Sequence, residues 1–378
     1  MPDTNQRVLI IGAGIIGLSI GWRLARAGCD VELFERDAAG EAASHTAAGM
    51  LAPDAEIEFE ETTLHALNQE SRRRWPDFAA ELEEETGIDV GLRTEGTYVV
   101  ADDRDAAEAL RRRYEFQQEH DLNVQWQSGD EARTREPFLA PGLAAAVWSP
   151  DDHQVNNRAV VTALQEGLWH HGGRLYEHTP VEGVDPDPNR PAVKTADGTR
   201  VEGDTVVVAA GAWSRSIDGL DGRLPIRPVK GQALGLEMTP PFDLQHVVRG
   251  PDAYVVPKAD GRLVVGATSE EMGFDEDVTA EGLYENLEGG WEVVPGLLDL
   301  SVDCTCTGFR PASRDNAPVL GPVAPGIVAA TGHYRHGILL TPVTATEVAR
   351  YILEGTLSSW LEPFLPSRFD EGPSPRAA

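Results

Sequence analysis

The stretch "RVLIIGAGIIGLSIGWRLARAGCDVELFE", residues 7–35, decides the fold. Its first six residues, 7–12, read as a short buried strand, 15–28 as a helix stopped by Gly28, and 30–35 as a second strand. Between strand and helix, Gly12, Gly14 and Gly17 stand in G-x-G-x-x-G spacing, and Glu35 ends the second strand. A bare match to that spacing is weak, but this one follows a strand and opens a helix. Gly12 permits the tight turn, Gly14 lets backbone approach a pyrophosphate, and Gly17 lets helix and strand pack closely. The helix N-terminus then faces the negative charge. Glu35 accepts hydrogen bonds from a ribose 2′-hydroxyl and repels a 2′-phosphate. The expectation is a dinucleotide site in a β-α-β unit.

Outward from that unit the chain alternates. A Glu-rich helix is expected over about 62–86, a strand at 96–100, a helix at 105–120, and a helix capped by Asn156 or Asn157 running to His171. Strands and hairpins follow, and "AYVVPKADGRLVVGAT" (253–268) reads as a hairpin across Asp260-Gly261. An α/β pattern returns at 318–354. The first and last thirds therefore belong together, giving an expected nucleotide-binding domain over 1–88, 147–222 and 308–368. A second domain is expected over 89–146 and 223–307, with a disordered tail at 369–378.

The 378 residues are 41% apolar and 25% charged, ordinary for a soluble globular protein. The charge balance is not ordinary, with 62 acidic residues against 32 basic and a formal net of -30. Lys194, Lys230 and Lys258 are the only lysines. Such an acidic surface fits a halophilic, salt-rich cytoplasm, where screening removes self-repulsion. It argues against nucleic acid; the runs "SRRRW" and "LRRRY" sit in Glu-rich helical sequence and read as solvated faces. No apolar run approaches the roughly 18 residues that span a bilayer, and no basic region precedes the first apolar stretch, so a cytoplasmic protein without membrane contact is expected. Cys29, Cys304 and Cys306 give no disulfide framework. The C-x-C pair has no further Cys or His nearby, so no metal site is expected and a strand with two alternate thiols is the reading.

A nicotinamide enzyme needs little beyond the first site, whereas FAD requires further glycine-rich contacts for its ring. Three such segments follow: "ASHTAAGML" (43–51), "TVVVAAGAW" (205–213) with Gly211, and "ATGHYRHGILLTP" (330–342). In the last, Gly332 and Gly337 bracket His333, Tyr334, Arg335 and His336, and Thr341 and Pro342 read as the cap and first residue of a helix.

These segments, with "AAGMLAP" (47–53), "GRLVVGAT" (261–268), "GFRPASRDNAPVLG" (308–321) and "GHYRHGILLTP" (332–342), resemble the FAD-dependent amine oxidases of the D-amino-acid oxidase type. Within that group the chain is similar to the glycine oxidases of thiamine biosynthesis, from about residue 7 to 365. The resemblance implies an α/β plus α+β fold: a Rossmann-type FAD-binding domain of discontinuous segments with a mixed β-sheet substrate domain. It also implies that Arg310 holds a substrate carboxylate, that Tyr254 helps it, and that Arg335 lies by flavin and substrate. For non-covalent FAD it gives Ile15, Ile16, Glu35, Arg36, Ala43, Ser44, Ala48, Gly49, Met50, Val181, and the run His333, Tyr334, Arg335, His336, Gly337, Ile338 and Leu339. The implied reaction is oxidative deamination of a small amine or D-amino acid, with O2 reduced to hydrogen peroxide. A homo-oligomer and a transient contact with thiazole synthesis enzymes are further implied partners.

The residues agree with that reading, since a guanidinium grips a carboxylate through two parallel hydrogen bonds. Arg310 stands in an otherwise small and neutral strand, "TCTGFRPAS" (305–313). Rival readings are a sarcosine oxidase with flavin bonded to Cys304 or Cys306, an amino-acid dehydrogenase using a quinone, and a flavin-binding protein without turnover.

Overall fold

The computed structural model describes residues 6–220 and 222–370. One sheet has strand order Val319–Ala324, Ile327–Thr331, Thr205–Val208, Arg7–Ile11, Asp30–Phe34 and Arg174–Tyr176. Five of these run parallel, and Val319–Ala324 joins antiparallel at the edge. Parallel strands require cover on both faces, and Val8, Leu9, Ile10, Val206, Val207 and Val208 are accordingly all fully buried. Helix Ile15–Arg26 packs against helices Asn157–His170 and Thr341–Glu354, and all three turn apolar faces into the main core. Asn156 is the cap of the second, accepting from the Ala159 N–H.

The other sheet has eight strands in the order Ser301–Ala312, Arg227–Glu237, Arg262–Gly266, Tyr254–Pro257, Val247–Arg249, Thr97–Ala101, Ala145–Ser149 and Gln125–Gln127. It is mixed, because Val247–Arg249 pairs parallel with Thr97–Ala101 between antiparallel neighbours. Register places Arg249 opposite Tyr254, Tyr254 opposite Gly266, Gly266 opposite Ala233, and Ala233 opposite Cys306. Directly opposed residues share a face, so one face carries Arg249, Tyr254 and, along the outer strand, Arg310.

Several sequence expectations shift by local pairing. The divisions expected at 147 and 308 fall inside Ala145–Ser149 and Ser301–Ala312, which pair along their whole lengths within the eight-stranded sheet. Phe369, expected in the tail, closes a short turn Pro366–Phe369, while 371–378 lie outside the described residues. Thr341 does not cap its helix. It is the first helical residue, and its hydroxyl donates to the Gly337 carbonyl. The arginines of "SRRRW" serve the fold: Arg72 pairs with buried Asp54 and Asp152, and Arg73 and Arg74 with Glu70. No helix among the described residues is long and apolar enough to cross a membrane.

Candidate active site

The C-terminal ends of the parallel strands meet the Tyr254 face of the second sheet around a cavity of about 470 Å³. Open α/β sheets place ligands at this end. Ile11, Phe34 and Thr331 contribute from the first sheet, and Tyr254, Gly266 and Arg310 from the second.

At the nucleotide end, Gly12 has a φ of 98°, and a β-carbon there would stand 2.6 Å from the Ala209 carbonyl oxygen. A β-carbon on Gly17 would stand 1.9 Å from the Gly12 carbonyl oxygen. No side chain of its own caps helix Ile15–Arg26; instead the Ile15 N–H donates to the Ser44 hydroxyl at 2.9 Å. Glu35 accepts from the Ala13 N–H at 2.7 Å and lines the cavity beside Arg36, whose guanidinium lies 4.1 Å over the Trp213 ring. An anion-receptive helix end, a carboxylate at the second strand and a bare-backbone turn fit the pyrophosphate and ribose of a dinucleotide. Ala43, Ser44, Ala48, Gly49, Met50, Val181 and Gly211 also line the cavity.

The 330–342 segment divides. His333, Tyr334, Arg335, Gly337 and Ile338 line the cavity. His336 and Leu339 stand behind it; the Leu339 carbonyl accepts from Ser71 and the Trp75 indole. Like Gly17, these two shape the wall without facing the cavity. His333 Nε2 hydrogen-bonds Thr344 Oγ1 at 3.1 Å. Burial pushes the pKa of both His333 and His336 down to about 3, so both rings are neutral at ordinary pH.

Three arginines reach the other end in different states. Arg310 Nη1 donates to the Thr268 and Lys230 carbonyls at 2.9 and 3.4 Å, and among the described residues no carboxylate lies within ion-pair distance of it. Arg335 is engaged: its guanidinium pairs with Glu61 at 2.9 Å and donates to the Glu56 carbonyl. Arg249 pairs with Glu56. Against strong desolvation, the Arg249 and Arg335 guanidiniums hold the Glu56 carboxyl below the usual range. The Tyr254 phenol lies against Gly266, 2.9 Å from where a β-carbon would be, and burial raises its pKa.

The sequence reading missed Arg249, Glu56 and Asp252, all lining the cavity. It also missed Lys258, buried behind the wall, whose ammonium donates to the Ala48 and Val155 carbonyls and to Gln154. Burial lowers its pKa to about 7. Three oxygen acceptors match the three N–H groups of an ammonium, and the tie runs from the strand bearing Tyr254 to the wall at Ala48. Cys304 and Cys306 both lie on Ser301–Ala312 and, among the described residues, neither lines the cavity.

Residues 7–351 match the family model of the FAD dependent oxidoreductases of the DAO type. The chain belongs to this family. It is an FAD-dependent oxidoreductase, and the glycine turn, Glu35 and Ser44 line the cavity where they would fit the cofactor's phosphates and ribose. Among its relatives, the glycine oxidase of Geobacillus kaustophilus is 36% identical, with 94% of this chain and 95% of that protein aligned. The crystal structure of that glycine oxidase superposes with a TM-score of 0.89 at 35% identity, covering 96% and 99% of the two chains. The bifunctional protein ThiO/ThiG of Synechocystis sp. is 34% identical over 97% of this chain. The chain spans 54% of that longer relative, about half its length. Iminodiacetate oxidase from Chelativorans sp. shares the fold with a TM-score of 0.86 and 29% identity.

Proposed function

We propose that this family member oxidises glycine or another small amine or D-amino acid to its imine. Two electrons and two protons pass to O2 as hydrogen peroxide, and water converts the imine to an oxo acid and ammonia. The observation that carries the reading is Arg310, a guanidinium held by two carbonyls and, among the described residues, without a carboxylate partner, facing the cavity beside Tyr254. A substrate carboxylate completes it through charge-assisted, paired hydrogen bonds. The glycine oxidase relatives, matched over nearly their whole length, support the choice of substrate class.

Bound FAD supplies the two-electron acceptor. Arg310 fixes the carboxylate, the raised pKa of Tyr254 keeps its phenol protonated as a hydrogen-bond donor, and the two together orient the Cα–H bond. His333 and His336, neutral and poorly basic, do not compete for the amine's proton. Catalysis then rests on orientation and on exclusion of water, without a strong protein base.

Further elements belong to the same reading. FAD is held without a covalent bond, supported by the position of both strand cysteines away from the cavity. The imine serves thiazole formation in thiamine biosynthesis, supported by the ThiO/ThiG relative. The protein is cytoplasmic, adapted to high salt, and a homo-oligomer; exposed Tyr284, Trp291, Leu298 and Val302 supply apolar surface for association. Peroxide release across glycine, sarcosine, D-alanine and D-proline tests the reaction: turnover of at least one supports it, and none with FAD-loaded protein sinks it.

A further inference from the structure

The cavity wall holds a charged pair that the proposed reaction does not use. Arg249 and Glu56 form an ion pair there, their side chains 26% and 8% exposed. Arg249 roots directly opposite Tyr254, and the Tyr254 phenol lies over Gly266 on the next strand. The Arg310 guanidinium lies over Gly231, one strand further on. With strands about 4.8 Å apart, the Arg249 strand stands roughly 10 Å from Gly266 and beyond Tyr254 as seen from Arg310. Arg310, Tyr254, Arg249 and Glu56 all line the one cavity. An amino acid whose carboxylate is held by Arg310 has to fit its side chain into this cavity, and the pair forms part of the wall there.

The pair is braced. The Glu56 carbonyl accepts from Arg335 Nη2 at 3.2 Å, Arg335 is fixed by Glu61, and His336 Nδ1 stands 3.8 Å from Glu56 Oε2. An apolar group pressed against it would strip water from two charges and return no hydrogen bond, a costly exchange.

We propose that the Arg249–Glu56 pair is the specificity element of this site, a rigid charged wall that admits hydrogen or methyl at the substrate Cα and excludes longer apolar groups. It rests on Arg310 as the carboxylate clamp.

The test compares wild type with R249M/E56Q, which removes both charges at nearly constant volume and leaves neither one orphaned. With FAD content confirmed by absorbance, kcat/KM is measured for glycine and D-norvaline. The ratio of D-norvaline to glycine should rise at least about tenfold in the variant, with glycine turnover changed less than about threefold. If the double variant does not hold FAD, R249K serves, keeping the pair while shortening the wall; the same ratio should rise about threefold. An unmoved ratio in either FAD-loaded variant overturns the proposal, as does loss of glycine turnover from R249M/E56Q. A wild type that turns over neither amine overturns the reaction and this proposal with it, whereas wild-type turnover with an unmoved ratio overturns the proposal alone.

Discussion

The guanidinium of Arg310 lies flat over Gly231, with Nη1 2.6 Å from the place a β-carbon would take. The missing side chain makes the slot in which the arginine rests while its Nη1 reaches the Thr268 carbonyl. G231A should lift the guanidinium by a fraction of an ångström to an ångström. Displacements of that size cost about 100-fold in well-oriented reactions. Steady-state kinetics should show that loss in kcat/KM for glycine while the FAD content of the purified protein stays at the wild-type level.

Acid should destabilise the protein through His333 and His336. Their folded pKa values are lowered to about 3 from an ordinary 6.5, so between those limits the unfolded chain takes up protons that the folded chain refuses. The stabilisation is complete above pH 6.5 and is lost as pH falls toward 3, at about 1.4 kcal/mol per pH unit for each histidine. Denaturant unfolding at pH 6.5, 5.5 and 4.5 measures the slope. His333→Gln should flatten it by about half, because a neutral side chain removes one titrating group.

Salt should act in the opposite sense to its effect on most surface ion pairs. The chain carries a net charge of -30, and raising KCl from about 0.1 to 1 M shortens the screening length from ~10 to ~3 Å. Self-repulsion then falls more than attraction is lost, and the thermal midpoint should rise steadily over that range. A flat or falling midpoint would remove the halophilic reading.

The sequence made the nucleotide half of the site legible because backbone geometry demands particular residues there. A β-carbon at Gly12 or Gly17 collides with main chain, so the glycine spacing carries its own structural reason. Arg310 was legible as a lone cation in a small, neutral strand. Arg249 and Glu56 were not, since their partnership spans 193 positions and each alone resembles a surface residue. Lys258 was hidden for the same reason: "PKADGR" reads as a polar turn, yet its ammonium is folded inward onto carbonyls. Arg335 shows the reverse limit. Its motif placed it at the cavity, but the sequence did not disclose that Glu61 holds its guanidinium.

The central claim is that Arg310 holds the carboxylate of a small amine whose electrons reduce bound FAD. Anaerobic titration with glycine, followed by the flavin absorbance near 450 nm (about the usual band of oxidised flavin), tests it most directly. Wild-type protein should bleach, and R310M should retain its FAD while needing about 100-fold more glycine for the same bleaching, the loss expected of a paired charge-assisted contact. Bleaching of R310M at wild-type glycine concentrations, or no bleaching of the wild type by any small amine, would contradict the account.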